Sequence, residues 1–246
     1  MSQPKRFRNR SHAGRQLAAA LGAFAHDSAA LVLALPRGGV PVGFAIARVL
    51  GLPLDILMVR KLGLPGHEEY AMGAIGSGGV RVVQPEVLRA FGIGESTLDA
   101  VRAREERELA RRERLFRGER PGPGISGQCV ILVDDGLATG SSMRAAIAVV
   151  RAGAPARIVV AVPVGPPESC AALEPEVDLL VCLLRPPAFD AVGKWYVDFA
   201  QTTDQEVQDL LARAWQAQPD SAPARRPSHA TRHAPAPRRA ITTPDK

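Results

Sequence analysis

Two adjacent carboxylates, Asp134 and Asp135, stand directly after an apolar run near the middle of the chain. A few residues later the side chains become small or carry hydroxyl groups. Free N–H groups at the start of a helix point toward an anion, and a glycine lets the backbone approach that anion closely. The segment therefore predicts a phosphate receptor, to which the hydroxyl groups add donors. Its members are Ala138, Thr139, Gly140, Ser141 and Ser142.

The acid pair beside this receptor narrows the class of ligand. A bare phosphate needs no carboxylate, whereas a ligand that also carries hydroxyl groups is held well by carboxylate oxygens. Ribose 5-phosphate carries both kinds of group. Taken singly, an acid pair at a strand end is often only a magnesium site or surface charge, and a Thr-Gly-Ser turn is often a plain helix cap. Their spacing together predicts a site for a sugar phosphate.

The elements that would position these residues form an alternating series along the chain. Nearly continuous apolar strands that alternate with helices predict an α/β fold, with a mostly parallel central sheet and helices on both faces. Ligands of such folds bind at the carboxyl edge of the sheet, where Asp134 and Asp135 are expected. Strands are predicted at 31–35, 55–60, 129–134, 157–164 and 177–183, and helices at 42–50, 96–118, through 143–150, near 167–173 and from 203 to about 215.

Two segments need separate interpretation. Residues 61–79 contain seven glycines and prolines, which predicts a mobile loop with at most short strands. The helix at 96–118 carries seven arginines and five acids. It is either an RNA-binding face or a solvated helix laced with salt bridges, and the interleaved acids favour the second interpretation.

The charge distribution argues against a nucleic-acid partner. The formal charge of +6 is concentrated at the ends, since residues 1–15 contribute +5 and residues 219–246 contribute +4, which leaves about −3 for the body. Residues 219–246 hold six prolines and no periodic apolar pattern, so they are predicted to be a disordered basic tail. Residues 1–218 are predicted to form one domain.

Cysteine usage and hydropathy point to a cytoplasmic protein. The three cysteines are widely spaced and form no CxxC pair, which predicts neither a disulfide framework nor a cysteine metal site. No apolar run has the length of about 18 residues that a membrane helix needs, and the first residues lack the apolar stretch of a signal peptide. A membrane partner is therefore not expected.

The strand, acid pair and Thr-Gly turn at 130–143 resemble the signature of the type I phosphoribosyltransferases, and the resemblance spans roughly residues 7–215. It implies that Asp134 and Asp135 hold the ribose hydroxyls and that 138–142 hold the 5-phosphate. It further implies that the substrate is 5-phosphoribosyl-1-pyrophosphate (PRPP) and that Mg²⁺ is the cofactor. The Mg²⁺ would be bound either through PRPP or by the acid pair. A nucleobase-like acceptor and a role in nucleotide metabolism follow. Relatives are often dimers, but no residue here establishes a homodimer.

The same resemblance assigns the pyrophosphate to a loop after the first strand. Arg37, Gly38 and Gly39 occupy that loop, and a cis peptide bond is expected between Pro36 and Arg37. Arg60 and Lys61 look like the corresponding pair of adenine phosphoribosyltransferases, and would either face the pyrophosphate or merely cap a strand. The segment 67–79 would then be the lid that excludes water.

A C-terminal hood at about 185–203 is expected to bind the acceptor, with Tyr196, Asp198 and Phe199 as contacts. Packing of these aromatic rings on the core is the open alternative. Ala138 departs from guanine and hypoxanthine transferases, which usually have an acid before the Thr-Gly, so the residue that handles the acceptor proton is unassigned among Glu68, Glu69 and Asp198. A second hypothesis is a non-catalytic PRPP-binding regulator that acts on RNA or a protein partner through the basic tails.

Overall fold

A computed structural model of the chain describes residues 6–217, without the side chains of Glu68 and Glu69. The tail predicted at 219–246 lies outside the described residues. The helices are α1 (Arg10–Ala20), α2 (Gly39–Leu50), α3 (Pro85–Ala90), α4 (Glu95–Arg117), α5 (Ser141–Ala152), α6 (Pro167–Leu173) and α7 (Asp204–Gln216). The strands are β1 (Ala30–Ala34), β2 (Leu54–Ile56), β3 (Val59–Leu64), β4 (His67–Gly76), β5 (Val80–Val83), β6 (Cys129–Val133), β7 (Arg157–Val164) and β8 (Leu179–Leu184).

The central sheet is parallel throughout, in the order β2-β1-β6-β7-β8. Every residue of β1 and β6 is buried, as expected for apolar strands covered on both sides. One face packs against α1, α2, α4 and α7, and the other against α5 and α6. The predicted α/β class, with helices on both faces of a mostly parallel sheet, is confirmed.

A second sheet corrects the interpretation of residues 61–79 as a mobile loop. The strands β3, β4 and β5 form an antiparallel sheet, and β4 alone is ten residues long. The glycines serve close packing there, because a Cβ at Gly73 would lie 2.2 Å from the carbonyl oxygen of Val82, and one at Gly76 would lie 2.3 Å from Val149 of α5. The single strand predicted at 55–60 is also wrong, since β2 and β3 belong to different sheets.

Helix α1 was not predicted, because its buried face consists mostly of small residues that give weak apolar periodicity. Ala13, Leu17 and Ala18 are buried on that face. The helix lies close to α2, where a Cβ at Gly14 would be 2.5 Å from the carbonyl oxygen of Val42. The Asn9 side chain accepts a hydrogen bond from the His12 N–H at 2.9 Å and begins the helix.

Helix α4 has an apolar stripe on its inner side and the predicted surface ion pairs on its outer side. Val101, Leu109 and Phe116 are buried. On the outer side Glu108 accepts hydrogen bonds from Arg111 and Arg112, which lower the pKa of this carboxyl to about 2. Arginines of this helix are therefore balanced by neighbouring acids. Within residues 6–217 no helix is both long and apolar enough to cross a membrane.

A buried ion pair fastens the end of α4 to the central sheet. Arg117 donates from Nη2 to Asp55 Oδ1 at 2.9 Å and from Nε to the same oxygen at 3.1 Å. The same Nη2 also donates to the carbonyl oxygen of Ile56 at 2.7 Å. Both charged side chains are nearly inaccessible to solvent. Burial raises the pKa of Asp55, and the Arg117 charge opposes that shift.

We expect Arg117→Leu to lower the free energy of unfolding by about 3–5 kcal/mol, because it leaves the buried Asp55 carboxylate without its cationic partner. Urea denaturation followed by circular dichroism measures the loss. The control is Arg114→Leu, at an exposed position of the same helix, where a change within about 0.5 kcal/mol is expected. Equal losses in the two variants would contradict a special role for the buried pair.

Candidate active site

The acid pair lies where the sequence predicts it, at the carboxyl end of β6 in the middle of the sheet. The Asp134 Oδ1 accepts a hydrogen bond from the Asp135 N–H at 2.8 Å. Burial raises the pKa of Asp134 well above its usual value, and the charge of Asp135 raises it further. Burial also raises the pKa of Asp135, but the Arg10 guanidinium opposes the shift. The two carboxylates are thus held together at an energetic cost.

Arg10 is a site residue that sequence reasoning missed. Its Nε donates to Asp135 Oδ2 at 2.8 Å, and the two side chains are only 12% and 16% exposed. They are 125 positions apart in the chain. Arg10 is one of five lysines and arginines in the N-terminal run 1–15, which we assigned to a charged end. No local pattern could therefore have singled it out.

The predicted phosphate loop connects β6 to α5. Gly140 has φ +74°, in the left-handed region that favours glycine. This residue has no side chain that could cap α5, so N–H groups of the first helical turn remain suited to an anion. The Thr139 and Ser141 hydroxyl oxygens lie 3.0 Å apart, and Ser169 Oγ donates to the Ala138 carbonyl oxygen at 2.7 Å. The loop is thereby held between two helices.

The loop that follows β1 touches the acid pair directly. The peptide bond between Pro36 and Arg37 is cis, as expected. A Cβ at Gly38 would lie 2.0 Å from Asp135 Oδ2, and one at Gly39 would lie 2.6 Å from the Val133 carbonyl oxygen. The Arg37 side chain instead reaches Asp204 of α7, with an N–O distance of 3.4 Å. The fold therefore brings the two glycines to the acid pair, while the Arg37 guanidinium faces α7.

Arg60 and Lys61 lie on β3, beside the phosphate loop. Both line a cavity of about 700 Å³ that reaches Ser142 at the start of α5. Arg60 is paired with the nearly buried Glu105, through an Nη2–Oε2 distance of 2.6 Å. Lys61 also lines a neighbouring cavity of about 350 Å³ that includes Ser141. The positive charge of Lys61 is less compensated than that of Arg60, because none of the side chains described between 6 and 217 forms an ion pair with Lys61.

The predicted hood crosses the carboxyl edge and is anchored to the acid pair. Tyr196 is buried, and its hydroxyl donates to the Asp135 carbonyl oxygen at 2.6 Å. Its ring stacks on Phe199 with centroids 5.0 Å apart and contacts Phe7. The Tyr196 ring is therefore covered and packs on its neighbours, whereas Asp198 is exposed.

Other proposed proton-transfer groups cannot be placed, because the side chains of Glu68 and Glu69 lie outside the described part of the structure.

The donor set suits magnesium that is shared with a phosphorylated ligand. No group of three or more His, Cys, Asp or Glu side chains within residues 6–217 could form a dedicated metal cage. Mg²⁺ usually keeps several waters and binds through one or two carboxylates together with substrate phosphates. Asp134 and Asp135, next to the predicted phosphate loop, fit that mode of binding.

Comparison with known proteins agrees with this geometry. The family model described as "Phosphoribosyl transferase domain" matches residues 9–183. Rv0571c of Mycobacterium tuberculosis H37Rv, which carries a phosphoribosyl transferase name, is 45% identical over 210 residues, or 85% of this chain and 47% of that protein. MT0597 of strain CDC 1551 matches equally well. The chain thus spans about half the length of these curated relatives.

A solved structure shares the fold as well as the sequence. The crystal structure of TT1426 from Thermus thermophilus is 45% identical and superposes with a TM-score of 0.78. The match covers 85% of this chain and 98% of the Thermus chain. The described architecture is therefore shared with an experimentally solved protein over nearly all of the latter's length.

We expect Asp134→Asn to stabilise the fold at neutral pH. Because the folded-state pKa of Asp134 is raised, its ionised form opposes folding, and this penalty grows as pH rises from the unfolded-state pKa of about 3.9. The variant should melt at a higher temperature than the wild type at about pH 8, by about 2–4 °C for each kcal/mol gained, and the difference should vanish near pH 4. Thermal unfolding across this range measures it.

The matched control for this prediction is Glu119→Gln, which neutralises an exposed acid. Its melting temperature should stay close to that of the wild type at every pH. A stability gain for Asp134→Asn that is independent of pH would contradict the assigned cause.

We expect Gly38→Ala to weaken the binding of ribose 5-phosphate by about tenfold or more. A loss of this size is typical when one hydrogen bond to a charged group is removed. The added methyl group would overlap Asp135 Oδ2 and displace that carboxylate. Isothermal titration calorimetry measures the affinity. Gly124→Ala is the control, because nothing lies within 4 Å of its added Cβ. Equal affinities for both variants would show that the contact has no bearing on the ligand.

Proposed function

The chain belongs to the phosphoribosyl transferase domain family, and from this premise we propose that it is an enzyme that moves a phosphoribosyl group from PRPP to a nucleobase-like acceptor. Pyrophosphate is the second product. The observation that carries the proposal is the contact between two loops at the carboxyl edge, in which Gly38 lies against Asp135. A ligand that carries a sugar between two phosphorylated ends would span both loops.

The proposed roles follow from the position of each group. Asp134 and Asp135 accept hydrogen bonds from the ribose hydroxyls. The loop at 138–142 binds the 5-phosphate through its N–H and hydroxyl groups. The backbone of Gly38 and Gly39 binds the pyrophosphate.

We assign the main positive charge near the phosphates to Lys61, because Arg60 is ion-paired with Glu105, which it shares with Arg104. Arg60 is then a residue that fixes the position of β3 against α4. Arg37 contributes at a greater distance, from its place beside Asp204.

In the transfer the bond from ribose C1 to the pyrophosphate oxygen breaks and a bond from C1 to a nitrogen of the acceptor forms, through an oxocarbenium-like state as in glycoside cleavage. Pyrophosphate leaves with the bonding electron pair, and the acceptor nitrogen gives up its proton. Carboxylates next to the ribose ring suit the positive charge that develops on the sugar. Bound Mg²⁺ would neutralise the leaving pyrophosphate, and the acid pair together with the substrate phosphates would hold it.

Water must be excluded, since it competes with the acceptor for the activated sugar. Residues of β3 and β4 line the two cavities, and the turn that joins these strands, which contains Pro65 and Gly66, is exposed. We assign the lid to this hairpin turn, in place of the longer loop expected from the sequence. The acceptor would enter beneath the hood at 185–203, where Asp198 is the exposed candidate for contact.

Isothermal titration calorimetry of the full chain with PRPP and Mg²⁺ tests the proposal. We expect saturable binding by the wild type, and a loss of about 100-fold or more when Asp134 and Asp135 are both changed to Asn, because two acceptors of ribose hydroxyl hydrogen bonds are weakened. Glu119→Gln is the control and should bind as the wild type does. A folded wild-type protein that does not bind PRPP would overturn the proposal.

A screen of purine and pyrimidine bases in the same solution, read out as released pyrophosphate, tests turnover. At least one base should release pyrophosphate, and the Asp134 and Asp135 variant should release none. Tight PRPP binding with no turnover for any base would overturn the enzymatic proposal in favour of the PRPP-binding regulator. The basic tails that such a regulator would use lie mostly outside the described residues.

A further inference from the structure

The first turn of α1 places an arginine over the carboxyl edge of the sheet. Asn9 caps the helix, so Arg10 is its first residue. Its side chain runs inward and is only 12% exposed, although arginine usually extends into solvent. The binding roles proposed above for the phosphate and pyrophosphate loops do not involve this residue.

Three contacts hold the Arg10 guanidinium in one orientation. Its Nε donates to Asp135 Oδ2 at 2.8 Å, and its Nη1 donates to the Ala200 carbonyl oxygen at 2.7 Å. Its central carbon lies 3.9 Å from the centroid of the Phe199 ring. Because the guanidinium is a planar fork, these contacts fix its plane as well as its position. The helix N-terminus, the hood and the acid pair therefore meet at one side chain.

The two oxygens of Asp135 lie in different surroundings. Oδ2 is occupied by Arg10 and lies against Gly38, where an added Cβ would be only 2.0 Å away. Oδ1 lies 3.2 Å from that same Cβ position. The carboxylate is thus pinned through Oδ2, which leaves Oδ1 as the oxygen that can accept a ligand hydroxyl.

We propose that Arg10 is a positioning residue that fixes the Asp135 carboxylate so that Oδ1 faces the ribose. This inference rests on the proposed function. It also assigns Phe199 and Ala200 of the hood to holding Arg10. The hood then acts on the sugar site through Arg10, in addition to any contact with the acceptor.

A double-mutant cycle on PRPP binding tests the inference. Arg10→Met keeps the length of the side chain but removes its donors, and we expect it to weaken the affinity for PRPP and Mg²⁺ by about tenfold or more. In an Asp135→Asn background the same substitution should have little further effect, because the carboxylate that it positions is already gone. Arg10→Lys should restore only part of the affinity, since an ammonium lacks the planar fork.

The control is Arg15→Met, at an exposed position of the same helix, which should bind PRPP as the wild type does. If Arg10 only tied α1 to the sheet, Arg10→Met would weaken binding equally in both backgrounds, and this additive result would overturn the positioning role. Unchanged affinity in Arg10→Met would overturn it as well. A wild-type protein that does not bind PRPP would overturn the proposed function itself, which is a separate result.

Discussion

The parallel pairing of β1 with β6 is the constraint on which the site depends. In this register Ala34 lies opposite Val133, and the pairing continues one residue further through the Leu35 N–H, which donates to the Val133 carbonyl oxygen at 2.9 Å. The two loops that follow therefore leave the sheet side by side. They can touch only because residue 38 is glycine. The loops at 36–39 and 134–142, which have separate origins in the chain, thus form one surface.

The electrostatics of this surface are unfavourable until a ligand or a cation balances them. Burial and mutual repulsion raise the pKa of Asp134, so its ionised form costs free energy in the folded protein. Arg10 offsets part of the same cost for Asp135. Site residues that oppose folding are typical of functional sites, where stability is given up for binding.

The second sheet shows how composition alone can mislead. Glycine-rich sequence at 61–79 predicts a loop, because glycine is conformationally free in an isolated peptide. In the folded chain Gly73 and Gly76 instead allow β4 to lie directly on β5 and α5. The packing of that sheet places Lys61 in the same cavities as Ser141 and Ser142. A glycine-rich segment can therefore form either a loop or a closely packed strand. The residues that pack against the glycines decide which of the two forms.

The sequence by itself determined the features that are encoded within a few residues. These include the buried strands, the surface ion pairs of α4 and the spacing of acid pair and Thr-Gly turn, since periodicity and side-chain spacing depend on local geometry. Only the tertiary structure decided that Arg10 pairs with Asp135 and that Glu105 pairs with Arg60. Those partners are far apart in the chain, and a single sequence carries no distances between separate segments until the sheet order brings them together.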